Sequence, residues 1–477
     1  MPQTFNLPIN SPPYQNVDGM VLDSLSEKLL DGYIDELGNT NKRPGLSSYI
    51  KLGSFKTVDG GYWWDGKGVA LFNSDGSIYK VSDSNGNIAN ITNTGDKIET
   101  SGRAIFADNG SYFVAANGGR MVYSDGTANT AYITDSDAPT AVTHVAFLDQ
   151  YLLANNVSTG KFHFADFSTS PTTWNALDVF TAESLPDDLV ALYVNKRIIV
   201  LMGTQSIEFW TNDGVSPFSR INGWTIQRGV MSKYCTVNVN GVIYFFDDKR
   251  KLTIIDGNSH QTLNTSYDKT IQGFSTVSDC TADYEFFNGQ NKIRYIFPKE
   301  QRTLVYNLDQ NYWSEETYYD SSVDARKRYL GSCYIYARDW NQHLVGSYLV
   351  DDIMQLNSDV YTDNGNQIRV NKVTGHIDHG VPNKLKRSYS LTLRFKMGVG
   401  IGDSGNTEPL VVIRFRDDGS SVWGNFIHIP LKISGNTEFS HTLYNLGSYY
   451  SRQYEISFSQ NAPFIMGKAV EEVDISD

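Results

Sequence analysis

The sequence predicts an all-β protein, a β-propeller of about seven blades (six to eight) followed by a smaller β-sandwich-like domain. Its 477 residues include 29 Tyr, 24 Phe and 40 Gly, and aromatic residues suit strands while glycine suits tight turns. A hairpin pattern recurs with the period of a four-stranded blade. The period stops near residue 366, although strand signals continue.

Residues 1–52 are predicted to form a polar N-terminal arm that leads into the ring. Six apolar or aromatic residues recur there at roughly helical spacing, namely Val21, Leu22, Leu25, Leu29, Tyr33 and Leu37. Gly32 interrupts this pattern, and glycine weakens a helix interior. The segment from Val21 to Leu37 is therefore predicted as either a helix or an extended strand, and both alternatives stay open.

Residues 53–365 carry the repeat, whose clearest part is a tight hairpin between two apolar strands. Asp75-Gly76 and Asn117-Gly118 accept the positive φ that such turns need. The seven hairpins pair residues 69–72 with 78–81, 112–115 with 121–123, 151–154 with 161–164, 197–202 with 206–210, 242–246 with 252–255, 292–297 with 303–306, and 343–349 with 353–356.

Equivalent positions in these hairpins set the period of the repeat. Tyr79, Tyr123, Phe164, Phe209, Ile255, Tyr306 and Leu356 are separated by 44, 41, 45, 46, 51 and 50 residues. Leading strands such as 189–194 and 281–287 bring the repeat to four strands. A single blade cannot bury both of its faces, so we expect the blades to stack into a closed ring. Separate sandwich domains would need linkers about every 100 residues, and no such linker is visible in the repeat.

Residues 366–477 are predicted to form a separate C-terminal β domain. Its strand signals lie at 391–397, 411–415, 425–429, 438–443 and 454–459, a spacing typical of a sandwich.

Charge and cysteine content exclude several classes of function. The net charge is −13 with a pI near 5.1, which argues against a surface that neutralises nucleic-acid phosphates, and we predict no sequence-specific nucleic-acid binding. Cys235, Cys280 and Cys333 are widely spaced and predict neither a disulfide framework nor a zinc site. Signal-peptide features and apolar runs of about 18 residues are absent, so we expect a protein that folds in the cytoplasm without membrane insertion.

Glycine-rich and histidine motifs in the C-terminal domain are interpreted as loops. Gly400 to Gly405 matches G-x-G-x-x-G but precedes a strand, whereas a dinucleotide site needs a helix there. Gly402-Asp403-Ser404-Gly405 is reminiscent of a serine protease nucleophile, and four histidines lie within 40 residues of it without triad context, namely His376, His379, His428 and His441. His376 and His379 also lack the i, i+4 helical spacing of a metal site.

The acidic and basic clusters of the sequence predict no metal, glycosidase or phosphate site. Asp351-Asp352 and Asp417-Asp418-Gly419 lack the alternating ligands of a calcium loop. The segment from Asp417 to Trp423 is similar to the Asp-box of sialidases, but its Trp lies one position too far along and the motif does not recur in the blades. The basic cluster of Lys384, Lys386 and Arg387 is interpreted as a solvated strand start rather than a phosphate contact. We therefore predict no catalytic, metal or cofactor site and no enzymatic activity.

Three short motifs carry a resemblance to a known family. They are Arg43-Pro44-Gly45-Leu46 before the ring, Gly203 to Trp210 in the fourth repeat, and Arg228-Gly229-Val230 with Tyr234-Cys235 opening the fifth. The chain resembles, over nearly its full length, the packaged-DNA stabilisation proteins, or tail hub proteins, of short-tailed phages. No partner-interface residue is assigned by this resemblance.

The resemblance implies a structural protein of the virion tail, assembled in the host cytoplasm. It implies a homo-oligomer, a hexameric ring below the portal adaptor protein, that helps to retain packaged DNA and anchors tailspikes and the tail needle. The alternative hypothesis is a carbohydrate-binding or glycosidase-like propeller for receptor recognition. That alternative requires an axial pocket lined by convergent carboxylates, arginines and exposed aromatic residues.

Overall fold

The computed structural model describes residues 2–7, 28–53, 57–99, 102–182, 187–214, 217–396, 409–431 and 438–476. The N-terminal arm contributes the short strands β1 (Gln3–Leu7), β2 (Lys28–Leu30), β3 (Gly32–Ile34), β4 (Thr40–Lys42) and β5 (Gly45–Lys51). The part of the predicted helix-or-strand segment that lies in the described residues is thus extended, and residues 21–27 fall outside them.

The described residues form seven blades, each an antiparallel meander that runs outward from the axis. Blade one comprises β6 (Gly60–Trp64), β7 (Val69–Ser74), β8 (Ser77–Val81) and β9 (Ile88–Asn90), and blade two β10 (Ile105–Asp108), β11 (Phe113–Ala116), β12 (Val122–Ser124) and β13 (Ala131–Tyr132). Blade three comprises β14 (Val145–Leu148), β15 (Tyr151–Asn155), β16 (Lys161–Asp166) and β17 (Val179–Thr181), and blade four β18 (Leu189–Asn195), β19 (Ile198–Gly203), β20 (Ile207–Asn212) and β21 (Phe218–Ile226).

The second half of the ring repeats this order with short insertions. Blade five comprises β22 (Thr236–Val239), β23 (Val242–Phe246), β24 (Leu252–Asp256) and β25 (Ser259–Leu263), followed by the helix α1 (Asp268–Gln272). Blade six comprises β26 (Thr281–Phe287), β27 (Gln290–Phe297), β28 (Arg302–Asn307) and β29 (Tyr312–Glu315), followed by the hairpin β30 (Thr317–Asp320) and β31 (Ala325–Arg328). Blade seven begins with β32 (Gly331–Ala337), a 3-10 turn at Arg338–Trp340, β33 (Gln342–Ser347) and β34 (Asp352–Asn357).

The arm strand β5 supplies the fourth strand of blade seven. It pairs antiparallel with β34, from Gly45 opposite Asn357 to Lys51 opposite Asp352. The boundary predicted after residue 52 assigns this strand to the arm, whereas the structure places it in the ring. The ring is therefore closed by strand pairing between its first and last segments as well as by packing.

Side chains between the blades form the core of the propeller. At the ring closure, Gly61 in β6 lies so close to Ile335 in β32 that a Cβ atom on Gly61 would be 2.4 Å from the Ile335 Cδ1 atom. Trp64, Trp313 and Phe113 are fully buried in such contacts. These three aromatic residues therefore serve packing between blades.

The C-terminal domain is a sandwich of two sheets. Two short strands after blade seven, β35 (Thr362–Asp363) and β36 (Asn366–Gln367), extend the blade-seven sheet beyond β5. The strands of the sandwich that follow are β37 (Val370–Val373), β38 (Lys386–Lys396), β39 (Leu410–Asp417), β40 (Ile427–Pro430), β41 (Glu438–Tyr449), β42 (Arg452–Phe458) and β43 (Ile465–Ile475). One sheet has the order β3-β4-β43-β38-β41, with β1 also paired to β43, and the other contains β37-β42-β39-β40. Leu391, Leu393, Val411 and Ile456 fill the core between them.

The second of these sheets is continuous with blade six. The arm strand β2 pairs in parallel with β29 on one side and antiparallel with β37 on the other. Nine strands of the propeller, arm and sandwich thus share one sheet. Among the described residues, no helix is long and apolar enough to cross a membrane.

Candidate functional site

The propeller axis is crossed by an ion pair between opposite blades. Arg103 precedes β10 in blade two, and its Nη1 atom donates to Asp283 in β26 of blade six at 3.2 Å. The Nη2 atom of Arg103 also contacts Asp283. Burial opposes the charge of Arg103, but Asp283 raises the pKa of this guanidinium above its ordinary value. Because these blades face each other across the ring, the pair lies on the axis.

Aromatic and histidine side chains from the intervening blades complete this axial cluster. His144 is fully buried at the start of β14, and its ring lies 5.4 Å from Tyr193 and 5.6 Å from Tyr234, measured between ring centroids. The Tyr193 hydroxyl lies 3.4 Å from His144 Nε2 and donates to the Lys233 carbonyl at the same distance. Burial, with the nearby Lys233 and Arg103, lowers the pKa of His144 to about 3. The imidazole is therefore neutral at physiological pH.

The acidic content of this axial cluster is limited to Asp283. Asp283 is 6 % exposed and is held by Arg103, so within the cluster of Arg103, His144, Tyr193, Tyr234 and Asp283 only one carboxylate is present. Glycoside hydrolysis ordinarily needs two carboxylates beside the scissile bond. The Arg103–Asp283 pair thus occupies the axial cluster as a largely buried ion pair.

A second site lies where the arm, the propeller and the sandwich meet, and Arg43 is its centre. The Nε atom donates to Asp31 at 3.0 Å, Nη1 donates to Asp363 at 2.9 Å, and Nη2 donates to the Thr317 carbonyl at 2.8 Å. Arg43 is 2 % exposed, and the two carboxylates are 1 % exposed. Although burial opposes the charge, Asp363 and Asp31 hold the pKa of Arg43 well above its usual range. One side chain thus ties the arm, the end of blade six and the connection to the sandwich.

The glycine of the same motif, Gly45, lies where the structure leaves no room for a side chain. The Gly45 N–H donates to the Val360 carbonyl at 2.7 Å. A Cβ atom at this position would lie 2.3 Å from the Thr362 carbonyl oxygen. Only glycine lets the backbone of β5 approach the connection so closely. We refer to the surroundings of Arg43, Asp31, Asp363 and Gly45 as the junction.

Four buried charges in blade six extend the junction inward. Lys292 lies 2.8 Å from Glu285 and 2.7 Å from Glu316, and Arg294 lies 2.9 Å from Glu285 and 2.7 Å from Glu316. The ring of Tyr329 lies near both guanidinium groups, 4.1 Å from Arg294 and 5.2 Å from Arg43. These opposite charges compensate one another, which is what a buried charge requires.

A cavity of about 160 Å³ opens beside the junction, lined by Tyr33, Asn41, Lys42, Pro44, Asn288, Ser358, Tyr361, Pro463, Phe464 and Ile465. The Lys42 ammonium donates to the Gln460 carbonyl at 2.7 Å and lies over the Phe458 ring. Burial and the neighbouring Arg43 lower the pKa of Lys42 to about 7.

The structure separates the histidines examined in the sequence. The side chain of His379 is only 3 % exposed, and its Nε2 atom lies 2.8 Å from the Tyr449 hydroxyl and 3.2 Å from Glu471. Burial opposes the charge of Glu471, yet hydrogen bonds from His379, Ser388 and Tyr449 hold its pKa below the ordinary value. His428 and His441 lie on the separate strands β40 and β41. The glycine motif from Gly400 to Gly405, with its protease-like part, lies outside the described residues.

The charged clusters of the sequence hold strands together. Asp417 binds Arg452 through Nε at 2.6 Å and Nη2 at 2.8 Å, and Trp423 lies beneath the guanidinium of Arg416. Lys386 is fully buried and donates to the Val381 and Tyr450 carbonyls, both at 2.6 Å. The interpretation of the basic cluster as wholly solvated is thus wrong for Lys386, because these carbonyls replace its water.

The three cysteines are buried, and burial raises the pKa of each thiol. In the described part of the chain, no group of three His, Cys, Asp or Glu side chains is placed to hold a metal ion. Sequence reasoning missed the axial pair and the junction ligands. Arg43 belongs to the Arg-Pro-Gly-Leu motif, but no local sequence pattern marks Asp31 and Asp363 as its partners.

Comparisons with known proteins identify one family. A model described as Phage_stabilise, Bacteriophage P22 Gp10, beta-propeller, matches residues 38–361, which is more than half of the chain. The match contains the Arg43-Pro44-Gly45-Leu46 motif and all seven blades. No curated protein matches the chain.

Solved structures share only a distant likeness in shape. The extracellular domain of the putative one component system BT4673 from B. thetaiotaomicron has a TM-score of 0.46 at 11% identity, covering 91% of this chain and 62% of that one. The mitotic checkpoint complex has a TM-score of 0.40 at 9% identity, covering 65% of this chain and 92% of that one. The chain thus spans less than two thirds of the BT4673 domain.

Proposed function

Because the chain belongs to the phage stabilisation family, whose model is described as bacteriophage P22 Gp10, beta-propeller, we propose that this tail-associated protein is the hub ring of a short phage tail. Six copies attach below the portal and its adaptor after assembly in the host cytoplasm. The ring helps to close the channel over packaged DNA and anchors the tailspikes and the needle.

The observation that carries this proposal is the junction. Arg43 bonds to segments of the arm, blade six and the sandwich connection, and β2 joins blade six to the sandwich by backbone pairing. Propeller and sandwich are thereby one body with separate outer faces. A hub that binds several partners at once needs fixed distances between those faces, and such a body supplies them.

The proposed hub has no catalytic activity, and charge and the axis support this reading. The chain carries a net charge of −13, and an acidic wall lets a polyanion pass without adhering. The Arg103–Asp283 pair fills the position where a carbohydrate-active propeller would hold its substrate.

Reconstitution tests the hub directly. Purified protein is mixed with portal rings carrying the adaptor, and the complexes are imaged by electron microscopy. We expect an added layer with sixfold symmetry that is absent from portal rings without the adaptor. Failure to bind either connector under assembly conditions would contradict the proposal.

DNA retention is measured separately. Packaged heads that contain portal and adaptor but lack this protein should expose their DNA to added nuclease, and the purified protein should protect it. A binding screen with bacterial surface glycans runs beside this assay. Glycan binding that is lost in an Arg103→Met variant, together with unprotected DNA, would favour the carbohydrate alternative.

A further inference from the structure

In the described parts of the chain, one sheet of the sandwich has edge strands at both sides, β41 and β1. At one end β41 pairs with β38 from Glu438 to Tyr449. At the other end β1 pairs with β43, with Gln3 opposite Val473 and Leu7 opposite Ala469. Among the described residues, β41 and β1 pair with no further strand. Each therefore presents a row of N–H and C=O groups without a strand partner.

Over residues 439–444, the β41 edge lacks the devices that ordinarily block pairing with another chain, and its bulge, with positive φ at Asn445 and Gly447, lies beyond this stretch. Residues 439–444 read Phe-Ser-His-Thr-Leu-Tyr, without lysine, arginine, proline or glycine. Tyr444 is 70 % exposed. The end strand of the other sandwich sheet, β40, has only four residues and ends at Pro430. Natural proteins protect exposed edges with charge, proline or shortness, so β41 has the character of a contact surface.

The β1 edge is complementary to it. Gln3–Leu7 carries no charged side chain, and β41 carries one acidic side chain, Glu438, in a protein of net charge −13. The contact of these two edges therefore avoids the repulsion between two acidic molecules. Thr4 also shares a row of the sheet with Tyr444, through Glu472 and Ser390. A strand added beside β41 would continue the same row and the same twist.

We propose that β41 of one copy pairs with β1 of a second copy, so that this sandwich sheet continues head to tail between copies. A head-to-tail contact uses two different surfaces and closes into a ring when the rotation allows. The inference deepens the proposed hub, on whose self-assembly it rests, by naming the surfaces that join its subunits.

Paired cysteines test the contact. Thr4→Cys is combined in turn with Ser440→Cys, Thr442→Cys or Tyr444→Cys, which cover neighbouring registers on one face. Within one molecule β43 and β38 separate β1 from β41 by about 14 Å, too far for a disulfide. Single variants can form at most covalent dimers, because the native cysteines are buried. We expect trimers and larger species from a double variant on a non-reducing gel.

Edge variants provide the matched control. Ser440→Lys with Tyr444→Lys, added to the Thr4→Cys, Thr442→Cys pair, should abolish species larger than dimers. Leu177→Lys with Val422→Lys makes the same charge change at side chains that are 86 % and 74 % exposed elsewhere and should leave the ladder intact. Thermal unfolding should be similar in both variants.

The outcomes separate this inference from the hub itself. A ladder without binding to portal and adaptor would support the contact and refute the hub. A sixfold layer on the connector without cross-links in any register, or cross-links that persist in the lysine variant, would overturn the contact alone.

Discussion

At the scale of single residues, the most consequential side chains are charged groups withdrawn from water. Arg43 is buried between Asp31 and Asp363, and Arg103 is held by Asp283. Exchanging such pairs for apolar residues can be neutral, whereas removing one partner leaves an uncompensated buried charge. Arg43 therefore contributes to stability mainly by neutralising these buried carboxylates.

Replacing Arg43 by Met is expected to lower the free energy of unfolding by about 3–5 kcal/mol. The reason is that Asp31 and Asp363 would lose their shared partner in a water-excluded site. Urea unfolding measures the change. Arg120→Met is the control, because Arg120 and Glu99 form an exposed pair (42% and 34%) and should cost below about 1 kcal/mol. Equal losses in the two variants would contradict the role assigned to Arg43.

The axial histidine gives the protein a specific sensitivity to acid. The pKa of His144 is lowered from 6.5 to about 3 by burial, so between these values the unfolded chain binds a proton that the folded chain does not. Stability therefore falls as the pH drops through this window, by about 2 kcal/mol between pH 7 and pH 5 from this group.

His144→Asn should remove the loss of about 2 kcal/mol in the free energy of unfolding between pH 7 and pH 5. His260→Asn, at an exposed position in β25, should retain this loss. The measurement is the free energy of unfolding at pH 5 and pH 7 for the three proteins. An unchanged pH dependence in His144→Asn would show that another group carries the effect.

At the scale of elements, the seven-residue strand β5 has a central part in closing the ring. It is an interior strand, paired with β34 along one edge and with β35 at Leu46 along the other. Without it blade seven would have three strands and the ring would be closed by side-chain packing alone. Backbone pairing between the first and last segments of a propeller strengthens the contact that closes the ring.

Ser47→Pro in β5 should therefore destabilise strongly. Proline removes a ladder N–H, and an unpaired buried carbonyl alone costs roughly 1–3 kcal/mol. Ala89→Pro in β9, the exposed outer strand of blade one, is the matched control and should cost less. Thermal unfolding compares them, and a larger effect at Ala89 would argue against the closure by β5.

At the scale of the whole molecule, propeller and sandwich are expected to unfold together. Leu29 in β2 is fully buried where blade six meets the sandwich, and the ion pairs of Arg43 span the same region. Shared backbone pairing and a shared charge network make independent unfolding costly. Two-state behaviour in a chain of this length would be unusual, and the junction is the reason to expect it.

Scanning calorimetry should show one transition for the native chain. Leu29→Ala should split it into two, because the cavity weakens the contact between the domains. Leu201→Ala, an equally buried leucine inside blade four, should lower the melting temperature and keep one transition. Two transitions in the native protein would contradict this coupling.

The hairpins and their period were readable from the sequence because they depend on neighbours. Asp75-Gly76 and its equivalents set tight turns, and alternation of apolar residues marks strands. The predicted pairs of 69–72 with 78–81 and of 292–297 with 303–306 are present in blades one and six. The missed elements are those whose partners are distant, such as β5 and β2.

The candidate sites were less readable for the same reason. Arg43 belongs to a visible motif, but Asp363 lies 320 residues away, and Arg103 meets Asp283 only because the ring brings opposite blades together. Lys386 looks solvated in sequence because its carbonyl partners at Val381 and Tyr450 have no side-chain signature.

The sequence by itself determined the all-β class, a repeat of about seven hairpins and the loss of that period near residue 366, because local turn chemistry and side-chain alternation encode them. The tertiary structure alone decided that β5 closes the ring, that β2 fuses propeller and sandwich, and that Arg43 and Arg103 are buried with their carboxylates. These features arise from backbone pairing and charge compensation between distant segments, which leave no periodic trace in the chain.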